Sequence, residues 1–97
     1  MNTLQELMVI TMEECSELTQ ECSKIIRKYD NMERLINTLH HSSSPVTVLG
    51  QEAGDVYCMI DMMVERGILD WDTIKANAQS KREKLKRWGS LCDEERG

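Results

Sequence analysis

The sequence contains no phenylalanine, one proline and five glycines among its 97 residues. So little proline and glycine excludes a collagen-like or low-complexity chain and favours long regular elements. Aromatic residues make up only 4%, whereas there are seven methionines. A chain this short, with a core of Leu, Ile, Val and Met, buries only about 60–70% of its unfolded surface. We therefore expect a partner subunit to complete the core.

Basic residues are also scarce, because 12 Lys and Arg stand against 17 Asp and Glu, for a formal net charge of -5. Proteins that bind nucleic acid gain much of their affinity from a basic face, so no nucleic-acid partner is expected. No apolar run approaches the roughly 20 residues of a membrane helix, and the first residues lack the apolar core of a signal peptide. We expect a cytoplasmic protein that does not bind membranes.

The four cysteines form no Cys-x-x-Cys pair, and no histidine lies at zinc-finger spacing from them. In a reducing compartment such cysteines act most simply as small apolar side chains. The expectation is that all four are buried or half-buried: Cys15, Cys22, Cys58 and Cys92.

Apolar residues recur at helical spacing along most of the chain, and no segment shows the sustained alternation of a strand. The first pattern runs from about Thr3 to Tyr29, and a short second pattern runs from Met32 to Leu39. Turn-forming residues follow, and we predict a loop over residues 40–48. The fold class is therefore all-α, with three main helices and one short helix.

A third apolar pattern runs from Leu49 to Val64 and stops near Gly67, in the manner of a helix C-terminus. Asp70 or Asp72 can then cap a last helix that ends near Trp88. These two segments complete the predicted helical bundle.

Glutamates crowd one side of the first predicted helix. Glu14, Glu17 and Glu21 lie within about 60° of one another, because positions i, i+3 and i+7 share a face. Like charges at this spacing destabilise a helix by a few tenths of a kcal/mol per pair, on the order of the effects measured in peptides. Lys24 and Lys28 could offset part of this repulsion by surface pairing. A bound divalent ion is the sharper explanation.

The third predicted helix repeats the arrangement, since Glu52 and Asp55 are three residues apart at the edge of its apolar stripe. A carboxylate against the core is costly unless it is paired or coordinated. Two helices that pack by their apolar stripes would bring Glu14, Glu17, Glu52 and Asp55 together. Four carboxylates without His or Cys suit Mg²⁺, with Mn²⁺ as a substitute, and are poor ligands for zinc.

The last predicted helix carries a lysine, Lys81, in the middle of its apolar stripe, with Asn77 one turn earlier at the edge. A lysine at such a position can simply extend its ammonium to solvent. The alternative is that Lys81 and Asn77 bind phosphate oxygens that a metal ion also holds. Position alone leaves both alternatives open.

Two motifs carry a family resemblance. Glu13-Glu14-Cys15-Ser16-Glu17 matches EExxE, and Glu52-Ala53-Gly54-Asp55 matches ExxD. In this order they resemble the signature of the MazG-like all-α nucleoside triphosphate pyrophosphohydrolases of the small phage and bacterial type. The similarity runs from about residue 4 to 88. It implies a single domain over residues 1–97, with a short tail at 89–97, completed as a homodimer or as a homotetramer built from two dimers.

The resemblance implies Mg²⁺-dependent hydrolysis of a nucleoside triphosphate, expected to be a dNTP, to the monophosphate and pyrophosphate. Water would attack the α-phosphorus, and Glu13 would orient or deprotonate that water or hold a further ion. The implied metal ligands are Glu14, Glu17, Glu52 and Asp55. The implied phosphate contacts come from Asn77, Lys81 and Lys24.

One departure from the family pattern is the spacing, because residues 18–51 separate Glu17 from Glu52, which is longer than usual. Two alternatives to the main interpretation stay open. One is a non-catalytic helical interaction module whose acidic surface binds a basic partner, and the other is a phosphoribosyl-ATP pyrophosphohydrolase-like activity. A ferritin-like di-iron bundle is disfavoured, because it requires Glu-x-x-His pairs that the sequence lacks.

Overall fold

A computed structural model of the chain describes residues 1–88, and in them it contains four α-helices and no strand. The helices are α1 (Thr3–Lys28), α2 (Met32–Ile36), α3 (Pro45–Glu65) and α4 (Trp71–Trp88). This confirms the all-α prediction of three long helices and one short helix. None of the four helices in this range is long and apolar enough to span a membrane. The predicted tail at 89–97 lies outside the described residues.

Helix α1 starts with a capping box. The Asn2 side chain accepts a hydrogen bond from the Gln5 backbone N–H at 2.8 Å, and the Gln5 side chain accepts one from the Asn2 N–H at 3.0 Å. Both backbone donors would otherwise lack partners at a helix N-terminus. At the other end Tyr29 is the C-cap, and its N–H donates to the Ile25 carbonyl at 2.9 Å. The helix therefore ends one residue before the predicted limit.

Helix α3 begins earlier than predicted, at Pro45, so the loop predicted over 40–48 is too long. The Ser44 side chain, which is only 1% exposed, accepts a hydrogen bond from the Val46 N–H at 3.2 Å. The Ser44 hydroxyl also lies 2.8 Å from the Thr38 hydroxyl. Proline suits the first helical position because it has no N–H to satisfy and its φ already matches the helix.

Helix α4 is capped by Asp70, one of the two predicted candidates. The Asp70 carboxylate accepts hydrogen bonds from the Asp72 N–H and from the Thr73 hydroxyl, both at 3.1 Å. Before it, Gly67 adopts a positive φ of 76°, and its N–H donates to the Val64 carbonyl at 3.0 Å. The positive φ is the conformation that ends many helices and that glycine adopts without steric cost.

The chain divides into two compact units, Met1–Met63 and a second unit that begins at Val64. In the first unit the buried apolar side chains are Leu7, Met59 and Met63. Leu7 lies early in α1, whereas Met59 and Met63 lie late in α3, as expected for two antiparallel helices in contact. No side chain of residues 64–88 is fully buried. The single-domain assignment over 1–97 stays a prediction.

The expectation that the cysteines are buried or half-buried is wrong for the three that the structure describes. Cys15, Cys22 and Cys58 are exposed. On α1 the two cysteines lie roughly 60–80° around the helix from Leu7, at 100° per residue, which places them beside the contact with α3 and not within it. Cys92 lies outside the described residues.

The glycine after α3 provides a stability test with a matched control. Gly67→Ala should destabilise the chain by about 1–2 kcal/mol, because a side chain is strained at positive φ. Gly50→Ala should instead stabilise it by about 0.5–1 kcal/mol, because alanine is the better helix former. An added Cβ at Gly50 meets nothing within 4 Å. Urea unfolding would measure both, and changes of the same sign would contradict this account.

Candidate metal centre

Four carboxylates from two helices converge in the first unit. One oxygen from each of Glu14, Glu17, Glu52 and Asp55 lies within 4.8 Å of the others. Each helix contributes two residues that are three positions apart, so both side chains leave the helix on the same side. The convergence expected from packing α1 against α3 is therefore present. We call these four residues the carboxylate cluster.

The carboxylate cluster is partly shielded from solvent. Glu14 and Glu52 are half-buried, whereas Glu17 and Asp55 are exposed. One oxygen of Glu14 and one of Glu52, Oε2 in each case, is buried without a hydrogen-bond partner. Buried polar atoms in folded proteins nearly always have a partner, and each exception calls for an explanation. A cation held by Glu14 and Glu52 is one partner that would fit carboxylate oxygens.

Electrostatics in the carboxylate cluster favour added positive charge. Burial raises the pKa of Glu14 above its ordinary value, and the negative charges of Glu17, Asp55 and Glu52 raise it further. The pKa of Glu52 is also raised, first by burial, then by its hydrogen bond and repulsion with Glu17, and then by Asp55 and Glu21. A carboxylate whose pKa is raised in this way is stabilised when it binds either a proton or a metal ion.

The dimensions of the carboxylate cluster suit a hard divalent cation. Ligand oxygens on opposite sides of Mg²⁺ lie about 4.2 Å apart, and on opposite sides of Ca²⁺ about 4.6–5.2 Å apart. Oxygens that lie within 4.8 Å of one another can close on either ion with shifts below an ångström. Because all four ligands are carboxylates, the cluster favours Mg²⁺, Mn²⁺ or Ca²⁺ over the softer metals.

Two other residues predicted for the site lie on α1 but outside the carboxylate cluster. Glu13 is exposed and is not one of the converging residues. The Lys24 ammonium lies 2.9 Å from the Glu21 carboxylate, in an ion pair whose lysine side chain is 53% exposed and whose glutamate is 14% exposed. Because a lysine ammonium has three donors, Lys24 can contact a phosphate while it keeps this ion pair.

Glu21 itself was not among the predicted site residues, although the sequence places it on the same face of α1 as Glu14 and Glu17. Its charge raises the pKa of Glu52, so it belongs to the electrostatic surroundings of the carboxylate cluster. The signal that could have identified it is its spacing, one turn beyond Glu17.

A cleft of about 270 Å³ lies beyond Glu21, between the end of α1 and the beginning of α3. Its wall combines the cationic side chains of Lys24 and Lys28 with the ring of Tyr29 and with Ser43. Glu21 also lines it, four residues after Glu17, which is about 6 Å along the helix. The carboxylate cluster and the cleft are thus neighbours along the same pair of helices.

The two residues predicted on the last helix belong to the second unit. Asn77 and Lys81 lie on α4, and both are exposed. Of the predicted apolar stripe of α4, Ile74 and Leu85 are half-buried, whereas Ala78 and Trp88 are exposed. The phosphate contacts assigned to Asn77 and Lys81 stay predictions.

No family model, curated protein or solved structure matches the chain. The resemblance of the EExxE and ExxD motifs to the MazG-like group therefore stays an interpretation of the sequence. The functional argument rests on the carboxylate cluster and the cleft beside it.

The raised pKa of Glu52 predicts a pH dependence of stability in metal-free protein. When the pKa of a carboxyl is higher in the folded chain than in the unfolded chain, the carboxyl favours folding most at low pH. This contribution is fully present below the pKa of the unfolded chain and is lost as the pH rises through the pKa of the folded chain. In EDTA, Glu52→Gln should therefore raise the free energy of unfolding at pH 7. The gain should shrink as the pH falls toward the unfolded value near 4.5.

Urea unfolding of both proteins across this pH range would measure the difference. Glu13→Gln is the matched control, because it removes one negative charge from an exposed position on α1 outside the carboxylate cluster. A gain for Glu52→Gln that is the same at every pH would show that the repulsion in the carboxylate cluster is not its cause.

Proposed function

We propose that the protein is a Mg²⁺-dependent nucleoside triphosphate pyrophosphohydrolase that acts on a dNTP. The observation that carries the proposal is the carboxylate cluster, in which two buried oxygens lack partners, next to a cleft with two lysines. Carboxylates that hold Mg²⁺, and cations close by, are what recognition of a metal-bound triphosphate requires. The order of the EExxE and ExxD motifs supports the same assignment.

In this proposal Glu14, Glu17, Glu52 and Asp55 hold Mg²⁺, or Mn²⁺ in its place. When bound, the metal lowers the pKa of a coordinated water and neutralises charge on phosphate oxygens. The chain fixes the positions of the four carboxylates, since each pair is one turn apart on a helix of more than twenty residues. A rigid ligand set of this kind keeps its geometry when the substrate enters.

The reaction forms one bond and breaks one bond at the α-phosphorus. The water oxygen bonds to this phosphorus, the bond to the oxygen that bridges the α- and β-phosphates breaks, and pyrophosphate leaves. The water proton passes to a base. We assign Glu13 to orient or deprotonate this water, or to hold a further ion, on the strength of its position in the EExxE motif.

The cleft provides room for part of the nucleotide. Its volume of about 270 Å³ is close to the lower end of the range for small-molecule sites, which is roughly 300–1,000 Å³. Lys24, paired with Glu21, would donate a further hydrogen bond to a phosphate oxygen.

The metal assignment has a test that does not depend on turnover. Titration of Mn²⁺, followed by electron paramagnetic resonance of the free ion, should show binding to the unaltered chain. Glu52→Gln and Asp55→Asn should each weaken it by about tenfold or more, because each removes a charged ligand. Glu65→Gln, exposed at the end of the same helix, should bind like the unaltered chain. Equal affinities in all four proteins would refute the site.

Activity is tested by incubating the assembled protein with Mg²⁺ and a panel of nucleoside triphosphates that includes phosphoribosyl-ATP, and measuring released pyrophosphate. Glu52→Gln and Asp55→Asn should lower kcat/KM by roughly 10²-fold or more, on the scale of losing a group that stabilises the transition state. Circular dichroism should show unchanged helix content, and Glu65→Gln should retain activity. If Mn²⁺ binds but no substrate yields pyrophosphate, the interaction-module alternative is favoured.

A further inference from the structure

Charged residues on one face of α1 change sign along the helix. At 100° per residue, five of them lie within about 80° of one another around the helix axis. We call these five residues the charged row, and in chain order they are Glu14, Glu17, Glu21, Lys24 and Lys28. The acidic half of the charged row contributes to the carboxylate cluster, and the basic half lines the cleft. A ligand that complements the charged row therefore carries positive charge at one end and negative charge at the other.

The two lysines of the charged row differ in how they are paired. The Lys24 ammonium lies 2.9 Å from Glu21, so its charge is partly balanced within the charged row. No ion pair within residues 1–88 involves Lys28, which lines the cleft one turn further along α1. In the part of the chain that the structure describes, the cleft thus has two ammoniums and one carboxylate in its wall. This excess positive charge attracts an anion.

The volume and charge of the cleft together indicate which part of a nucleotide fits. A volume of about 270 Å³ suits a fragment of a nucleotide better than a whole one. The ring of Tyr29 and the side chain of Val48 could also contact a base. A base carries no formal charge, however, so it would leave the Lys28 ammonium without an anionic partner. Phosphate groups supply that partner through charge-assisted hydrogen bonds.

We propose that the cleft binds the phosphates that follow the α-phosphate, and that Lys28 distinguishes a triphosphate from a diphosphate. This inference rests on the proposed function, in which the α-phosphorus reacts at the carboxylate cluster. Phosphates that run from there along α1 meet Lys24 first. They meet Lys28 about 6 Å further on, because four residues of a helix rise by that distance. The nucleoside then extends from the α-phosphate away from the cleft.

This direction places both lysines on the leaving group. When a triphosphate reacts, the β- and γ-phosphates leave together as pyrophosphate, and the oxygen that bridged the α- and β-phosphates gains negative charge. Lys24 lies on the side of the cleft where that charge develops, and a fixed cation there stabilises it. A diphosphate would release orthophosphate and has no γ-phosphate to reach Lys28. The cleft therefore favours triphosphates and also binds free pyrophosphate.

Binding of inorganic pyrophosphate tests the cleft without any turnover. Isothermal titration calorimetry in Mg²⁺ should show binding to the unaltered chain. Lys28→Gln should weaken it by about tenfold or more, on the scale of one hydrogen bond between charged groups, and Lys28→Arg should retain most of it. The matched control is Arg27→Gln, which removes the same charge from the same turn of α1 outside the cleft. Equal weakening in both Gln variants would overturn the proposal.

Kinetics with nucleoside triphosphates and diphosphates test the role of Lys28 in specificity. Lys28→Gln should lower kcat/KM for a dNTP by about tenfold and leave kcat/KM for the matching dNDP unchanged, because only the triphosphate reaches Lys28. An equal loss for both substrates would contradict a contact between Lys28 and the γ-phosphate. Competition between pyrophosphate and a nucleoside without phosphates would show that a base occupies the cleft, and would also overturn the proposal.

The cleft assignment and the proposed hydrolysis can fail separately. Turnover of a dNTP by a chain that binds no pyrophosphate would overturn the assignment of the cleft and leave the hydrolysis standing. Pyrophosphate binding that depends on Lys28, in a chain that hydrolyses no nucleotide, would support the cleft and contradict the hydrolysis. Circular dichroism and Mn²⁺ affinity should be the same in all variants, because Lys28 lies outside the carboxylate cluster.

Discussion

Four like charges within 4.8 Å of one another are the constraint on which the rest of this structure depends. The antiparallel contact between α1 and α3 creates the apolar core of the first unit, and the same contact forces Glu14 and Glu52 toward the seam between the two helices. Their buried oxygens lack partners, and burial raises both pKa values. A proton or a metal ion in the carboxylate cluster would relieve this cost.

The opposite side of the same helices has the reverse character. Only Leu7, Met59 and Met63 are fully buried among the apolar side chains of residues 1–88, while large apolar residues such as Ile26 stay exposed. A core this small stabilises two long helices weakly, since burial of apolar surface is the main favourable term in folding. The first unit alone therefore leaves much of the apolar surface of α1 exposed.

The sequence predicted the helices and the carboxylate cluster well, because both follow from the 3.6-residue period. Positions three apart had to share a face, so Glu14 and Glu17 had to meet Glu52 and Asp55 once the helices packed. The start of α3 was missed because Ser44 and Pro45 have turn composition, and only the hydrogen bonds of Ser44 identify them as a helix start. Burial of the cysteines was mispredicted because the apolar arc of α1 covers two sides, and periodicity alone does not say which side faces α3.

The carboxylate cluster also links ion binding to folding. Its four side chains come from α1 and α3, so an ion held by all four would require these helices to be folded against each other. Such an ion would stabilise the folded state by an amount that grows with its concentration relative to its dissociation constant. In a chain with so few buried side chains, this contribution would be a large part of the total stability.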